Sequence, residues 1–442
     1  MSDIKIPKRI STAILNSLNS GVVPRIGLEY ITVGRKKEIQ ILLNDLENIK
    51  EGGACFRFIC GKYGSGKSFL IQVIRNHSLD KGFVTCDTDL TPERKLAGKK
   101  QGLATYRELI QNMAIAARPD GGALESILQR WIQNLKISVM KETDITPDDP
   151  NINNLVKKKI FEVINNLENQ SHGYDFSIVI SSYWDGYNNE DETLKQASLR
   201  WLKGEFATKT EAKTYLRVDE IINDTNWYDY IKLYSNFVSL AGYNGLILFI
   251  DEAVNLYKTP NRITRENNYE KLLSMFNDTM QGKASHLGIY FGATPKLIED
   301  TKRGLFSYEA LRTRLSTGNF TSSGRFSDLS GPVMPLTTLS DEEVFVLLHI
   351  LSDIHSKHYG YAPKLKDDDL IEFMKTIKGR IGTDELLTPR EVTRDFISIL
   401  NIMEQNEDVS FKDLLNDSKT SFTSPSLDPD SENDDLFEGF QL

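Results

Sequence analysis

The chain has only three cysteines among 442 residues, Cys55, Cys60 and Cys86, and their spacing matches no metal-ligand pattern. That argues against a disulfide framework and a cysteine-bound metal; Cys55 and Cys60 lie in an apolar run, so free core thiols are expected. Histidine is also sparse. His77, His172, His286, His349, His355 and His358 are scattered, and the pair His355 and His358 reads as flanking a helix end rather than binding metal. No stretch approaches the roughly 18 apolar residues of a membrane span, and MSDIKIPKRI has no signal-like apolar run. A cytoplasmic protein without a membrane partner is expected. No nuclease, methyltransferase or protease constellation and no internal repeat is visible.

An excess of one charge is missing too, once the formal -9 is located. Residues 404–442 hold eleven acidic side chains against two lysines, leaving fifty-one charges of each sign in the rest. A neutral body neither requires nor excludes a polyanionic partner. The segment from about 406, rich in Ser, Asp and Pro, is expected to be unstructured, ending in an acidic and aromatic peptide at Asp434 to Phe440.

What the sequence does contain is a phosphate-loop pattern: Gly61, Lys62, Tyr63, Gly64, Ser65, Gly66, Lys67, Ser68. An apolar strand, Ala54 to Cys60, precedes it, and a helix from Phe69 to Asn76 follows, which is the context such a loop requires. The glycines let successive N–H groups turn toward phosphates, and the helix adds its positive end. Lys67 then contacts the terminal phosphates of ATP, and Ser68 ligates Mg²⁺. A second apolar strand, Gly245 to Ile250, ends in Asp251 and Glu252, giving a carboxylate for the Mg²⁺ shell and a base for the attacking water. A third, Leu287 to Gly292, ends in Thr294, which orients that water if the strands are adjacent; turn chemistry is the alternative. Arg312 and Arg314 stand on a short helix, either as solvated side chains or with one reaching a neighbouring subunit's phosphate. Arg390 begins a later helix, where a cation opposes the helix dipole and implies another purpose.

These elements predict an α/β fold: a P-loop parallel sheet flanked by helices over residues 1–335, with a helical insertion at about 102–241. The insertion is read as helices at Tyr106 to Ala117, Ala123 to Leu135, Ile152 to Leu167 and Tyr228 to Leu240, with a polar loop at Trp184 to Thr193. Thr91 is expected to cap a helix opening at Pro92. The last strand falls near Gly331 to Pro335, and a small helical lid, 336–405, follows.

Taken together the motifs resemble AAA+ and STAND-type ATPases. Val33, Gly34, Arg35 and Glu38 are similar to the segment that cradles adenine there. The resemblance adds Thr294 as first sensor, Arg312 or Arg314 as arginine finger and Arg390 as second sensor; Phe69, directly after the loop, is expected in the nucleotide site as well. More closely, the chain resembles the ATP-binding proteins of BREX-type phage-defence systems, through Gly27 to Tyr30, Phe58 to Ser68, Asp89 to Arg94, Arg200 to Glu205, Gly242 to Leu246 and Thr388 to Glu391. This implies an ATPase in antiviral defence that self-associates or joins a hetero-oligomer, alongside a helicase or other DNA-acting partner. A nucleotide-gated adaptor with slow hydrolysis and no direct DNA action is the alternative.

Overall fold

The computed structural model describes residues 5–165, 172–316, 329–362, 365–381, 388–406 and 408–417. They form two compact units: the described residues within 40–60 and 74–334 make one, and those within 5–39, 61–73 and 335–417 make the other.

The first unit is built on a sheet. Its strands are β1 (Ala54–Cys60), β2 (Val84–Asp89), β3 (Leu246–Asp251), β4 (Leu287–Ala293) and β5 (Val333–Pro335), in spatial order β2-β3-β4-β1-β5. The pairs β1/β4, β4/β3 and β3/β2 are all parallel. Continuous apolar runs suit such strands because helices cover both faces of a parallel sheet. All seven residues of β4 are buried. On one face Phe56, Phe58 and Phe291 cluster with ring centroids 5.3–5.4 Å apart, and on the other Phe249 stacks on Tyr290 at 5.6 Å. The three cysteines are buried free thiols, as expected.

Arg57 interrupts the apolar run of β1 for a reason the structure supplies. Its guanidinium forms a two-pronged ion pair with Asp45, with Nη2 to Oδ1 at 2.7 Å. Nη1 donates to the carbonyls of Leu329, Ser330 and Gly331. A buried arginine thus fastens the approach to β5 onto β1.

Between β2 and β3 the chain makes the helical insertion, with helices Gln101–Gln111, Leu124–Thr143, Ile152–Asn165, Gly173–Asn188, Glu192–Leu202, Lys209–Leu216 and Trp227–Leu240. All four tryptophans of the protein, Trp131, Trp184, Trp201 and Trp227, are buried here. Three expectations need correction. Residues 91–96 form no helix: the Thr91 hydroxyl accepts from the Glu93 and Arg94 amides, closing a turn, and the helix opens only at Gln101. That helix stops at Gln111, and Ala114 then bridges Thr85 of β2 in antiparallel fashion. The polar loop expected from Trp184 is the end of helix Gly173–Asn188, which buries Phe176, Ile180, Tyr183 and Trp184.

The second unit joins the N-terminal helix Lys8–Asn19 to helices Asp341–Tyr359, Asp367–Ile381 and Pro389–Gln405 around a core including Ile14, Leu28, Leu348, Leu351, Phe373 and Phe396. The chain before residue 40 therefore groups with the C-terminal helices rather than with the sheet. Two of these, Asp341–Tyr359 and Pro389–Gln405, start with complete capping boxes, Ser340 with Glu343 and Thr388 with Glu391. His355 is buried between the Tyr361 hydroxyl (2.7 Å) and Asn401 (3.0 Å), and His358 meets Ser11, so both serve packing. A further helix, Phe411–Asp417, buries Phe411 and Leu415, so chain order extends past the expected start of the tail. The peptide Asp434 to Phe440 lies outside the described residues.

Truncating one member of a buried, hydrogen-bonded ion pair strands the other charge. Arg57→Ala is expected to destabilise the protein by about 3–5 kcal/mol and Arg57→Met by less, because methionine refills volume that alanine leaves as a cavity. Denaturant unfolding of both variants checks the order.

Candidate functional site

The phosphate-loop sequence follows directly from β1, and its conformation is set within the second unit. Gly64 and Gly66 have φ of +74° and +90°, where side chains are strained. At Gly66 a Cβ would meet nothing within 4 Å, so the loop leaves open space beside its backbone. The Lys67 ammonium folds back to donate to the carbonyls of Gly61 (2.9 Å) and Lys62 (3.0 Å). A cation held inside a glycine-rich curl at the start of helix Lys67–Asp80 is a fit for a polyphosphate. Ser65 is buried, and its hydroxyl has no hydrogen-bond partner among the described residues.

Two C-terminal residues touch this loop. A Cβ built on Gly64 would collide with the Thr388 side chain at 2.3 Å, so glycine permits the start of helix Pro389–Gln405 to approach. Arg390 donates from Nη1 to the Tyr63 hydroxyl at 3.0 Å, its guanidinium carbon 5.5 Å from the ring centre. This contact accounts for a cation in the helix's first turn. Gly34 lies against the Glu343 carboxylate, at φ +84°. Arg35 is buried and bonds the Ser65 and Thr337 carbonyls. Phe69 packs against the apolar core of the second unit. Both Arg35 and Phe69 thus have protein partners.

In the sheet unit the parallel strands bring their C-terminal ends to one edge: Cys60 pairs with Ala293, and Ile250 with Phe291. Asp251 ends β3; its Oδ1 accepts from the Glu252 amide at 2.8 Å, and its carbonyl accepts from Leu90. Glu252 has φ +55°, a left-handed conformation costly for a residue with a side chain. The next amide, Ala253, donates to the Gly292 carbonyl, joining this turn to the end of β4. The strands carrying Asp251 and Thr294 are adjacent, as the sequence reading required. The Thr294 hydroxyl accepts from the Leu297 amide, capping helix Pro295–Glu299, so the turn role is realised. Arg312 pairs with Glu309, and Arg314 bonds Asn277 and the Ala310 carbonyl.

Asp89 entered the sequence reading only within the Asp89 to Arg94 segment and was given no role there. It ends β2 in register with Asp251, and burial, then the Asp251 charge beside it, raise its pKa above the ordinary aspartate value. Only strand register brings the two carboxylates together, and residues 162 apart in sequence carry no local signal of it. The Arg200 to Glu205 segment is likewise explained: Trp201 Nε1 donates to Glu220, the Leu202 carbonyl accepts from Tyr106 and Tyr234, and the Gly204 carbonyl accepts from Arg107. It ties the insertion together.

Among the described residues no group of three or more His, Cys, Asp or Glu side chains is placed to hold a metal by itself, and no helix is long and apolar enough to cross a membrane.

A raised folded-state pKa means that the protonated acid is favoured, so stability is fullest below the unfolded aspartate pKa and is lost as pH rises through the folded one. Asp89→Asn is therefore expected to raise the melting temperature at pH 7 and to lose that advantage near pH 3.5; thermal scans at both values decide. Relief of the left-handed strain predicts that Glu252→Gly raises stability by up to about 1 kcal/mol, read from denaturant unfolding.

A family model for the BREX system ATP-binding protein BrxC/D matches residues 6–419. No curated protein matches the chain.

Proposed function

From the premise that this chain belongs to the BREX system ATP-binding protein family BrxC/D, we propose that it binds and hydrolyses ATP as a component of a phage-defence system. The observation that carries this reading is the phosphate loop, with left-handed Gly64 and Gly66 and an ammonium held at its centre, at the start of a helix. In this reading Gly61, Tyr63, Gly64, Ser65, Gly66, Lys67 and Ser68 form the phosphate cradle.

Lys67 exchanges its two carbonyl partners for the terminal phosphates, trading neutral acceptors for charged ones, which is the stronger hydrogen bond. Ser68 and Asp251 hold Mg²⁺, which neutralises phosphate charge when bound. Glu252 accepts the proton of the attacking water. The strained backbone at Glu252 supports that assignment, because such strain is retained where a side chain must be aimed. Thr294 keeps its hydroxyl proton while its oxygen caps a helix, so it can donate to the same water. Arg390 acts as the sensor from the C-terminal helices, and Arg312 or Arg314 reaches a neighbouring subunit's nucleotide. The architecture is read as AAA+-like, working as an oligomer with a DNA-acting partner such as a helicase. Adjacent placement of β3 and β4 and the strand order β2-β3-β4-β1-β5 support the AAA+ part.

Lys67→Ala is expected to abolish ATP binding, and Glu252→Gln to keep binding while cutting turnover at least about a hundredfold. Calorimetric binding and phosphate-release assays on the purified chain read both. Wild-type turnover by Glu252→Gln would remove the assigned base. Stimulation of turnover by duplex DNA is expected of the motor reading, and a flat, slow rate with and without DNA counts against it.

A further inference from the structure

Arg35 is one of few buried charges in the second unit, and its partners are unusual for a residue expected to face a base. Nη2 donates to the Ser65 carbonyl at 3.0 Å and to the Thr337 carbonyl at 2.6 Å, while Nη1 lies 3.4 Å from Glu38. Ser65 belongs to the phosphate loop, and Thr337 to the connection from β5 to the capped helix Asp341–Tyr359. Three segments far apart in sequence thus meet on one guanidinium. The loop also rests on that connection at its start, since a Cβ on Gly61 would fall 3.2 Å from Leu336.

The consequence follows from the peptide group. Among the described residues no peptide is cis, so the Ser65 carbonyl and the Gly66 N–H lie on opposite sides of one planar unit. Holding the carbonyl toward Arg35 fixes the Gly66 N–H in the opposite direction. At φ +90° Gly66, lacking a side chain, does little to restrain that peptide, and a Cβ there would meet nothing within 4 Å. Charge-assisted hydrogen bonds to a carbonyl are about twice as strong as neutral ones, so the clamp resists a peptide flip.

We propose that Arg35 is a positioning residue that orients the Gly66 amide for phosphate binding and ties the loop to the Leu336–Ser340 connection, rather than a contact to the nucleotide base. The proposal rests on the reading of this loop as an ATP site. It makes the backbone near Thr337 responsive to loop occupancy, because both carbonyls share one Nη2.

The test uses the full chain carrying Arg35→Ala and Arg35→Lys, with fluorescent ATP, the matching GTP and inorganic pyrophosphate as probes. Amide hydrogen exchange is followed without nucleotide. The expected result for Arg35→Ala is a loss of affinity of about tenfold or more, by the same factor for all three probes. Faster exchange is expected in residues 61–68 and 336–340 and unchanged exchange elsewhere. Arg35→Lys, which keeps the charge but loses the planar fork, should fall between. A loss confined to ATP would overturn the proposal in favour of a base contact. Exchange accelerated evenly over residues 5–39 and 335–417, or unchanged in the loop, would overturn it as well. Should Arg35→Ala fail to fold, Arg35→Lys carries the same comparisons. Failure of the wild type to bind any probe would sink the ATP reading, while the exchange data would still decide the clamp.

Discussion

Parallel pairing of β1 with β4, and of β4 with β3, is the constraint from which the rest follows. Strands that run the same way must be joined by crossovers, and they deliver their C-terminal ends to one edge. Chain leaving that edge has lost its ladder partners, so its N–H and carbonyl groups must find others. Asp251 takes the Glu252 amide, Ala253 takes the Gly292 carbonyl, and the Thr294 hydroxyl takes the Leu297 amide. The same need explains the loop after β1, where Lys67 satisfies two carbonyls. Crossovers carry no such restriction on length. The one from β2 to β3 has grown into a tryptophan-rich helical body with its own buried tyrosine hydrogen bonds.

Buried arginines recur at the points where remote segments must be joined. Arg57 gathers the carbonyls of Leu329 to Gly331 just before β5, and Arg35 gathers those of Ser65 and Thr337, the latter just after it. In each case a carboxylate, Asp45 or Glu38, accompanies the guanidinium, which offsets the cost of taking the cation out of water. A five-donor fork suits irregular backbone, because it can satisfy several carbonyls that no sheet or helix will pair.

The sheet was legible because its information is local: β3 and β4 are continuous apolar runs, β1 is one broken only by Arg57, and the phosphate-loop pattern is read within a few residues. Helix Gly173–Asn188 was hidden because polar Asp185, Asn188 and Asn189 surround Trp184, while its buried face depends on partners elsewhere in the insertion. Thr91 carries the same residue type as a helix cap, and only the downstream amides show that it closes a turn. The placement of Asp89 beside Asp251 and of Arg35 on the Thr337 carbonyl was not foreseen, because those partners are distant along the chain. Arg390 was noticed through its unfavourable dipole position, and the Tyr63 ring supplies the reason.

The central claim is that the loop after β1 is built for the terminal phosphates of ATP. A structure of the full chain with Mg²⁺ and a non-hydrolysable ATP analogue tests it most directly. The account predicts phosphates within the loop and Lys67 Nζ moved from the Gly61 and Lys62 carbonyls onto them; nucleotide bound elsewhere, with Lys67 still on those carbonyls, would contradict it.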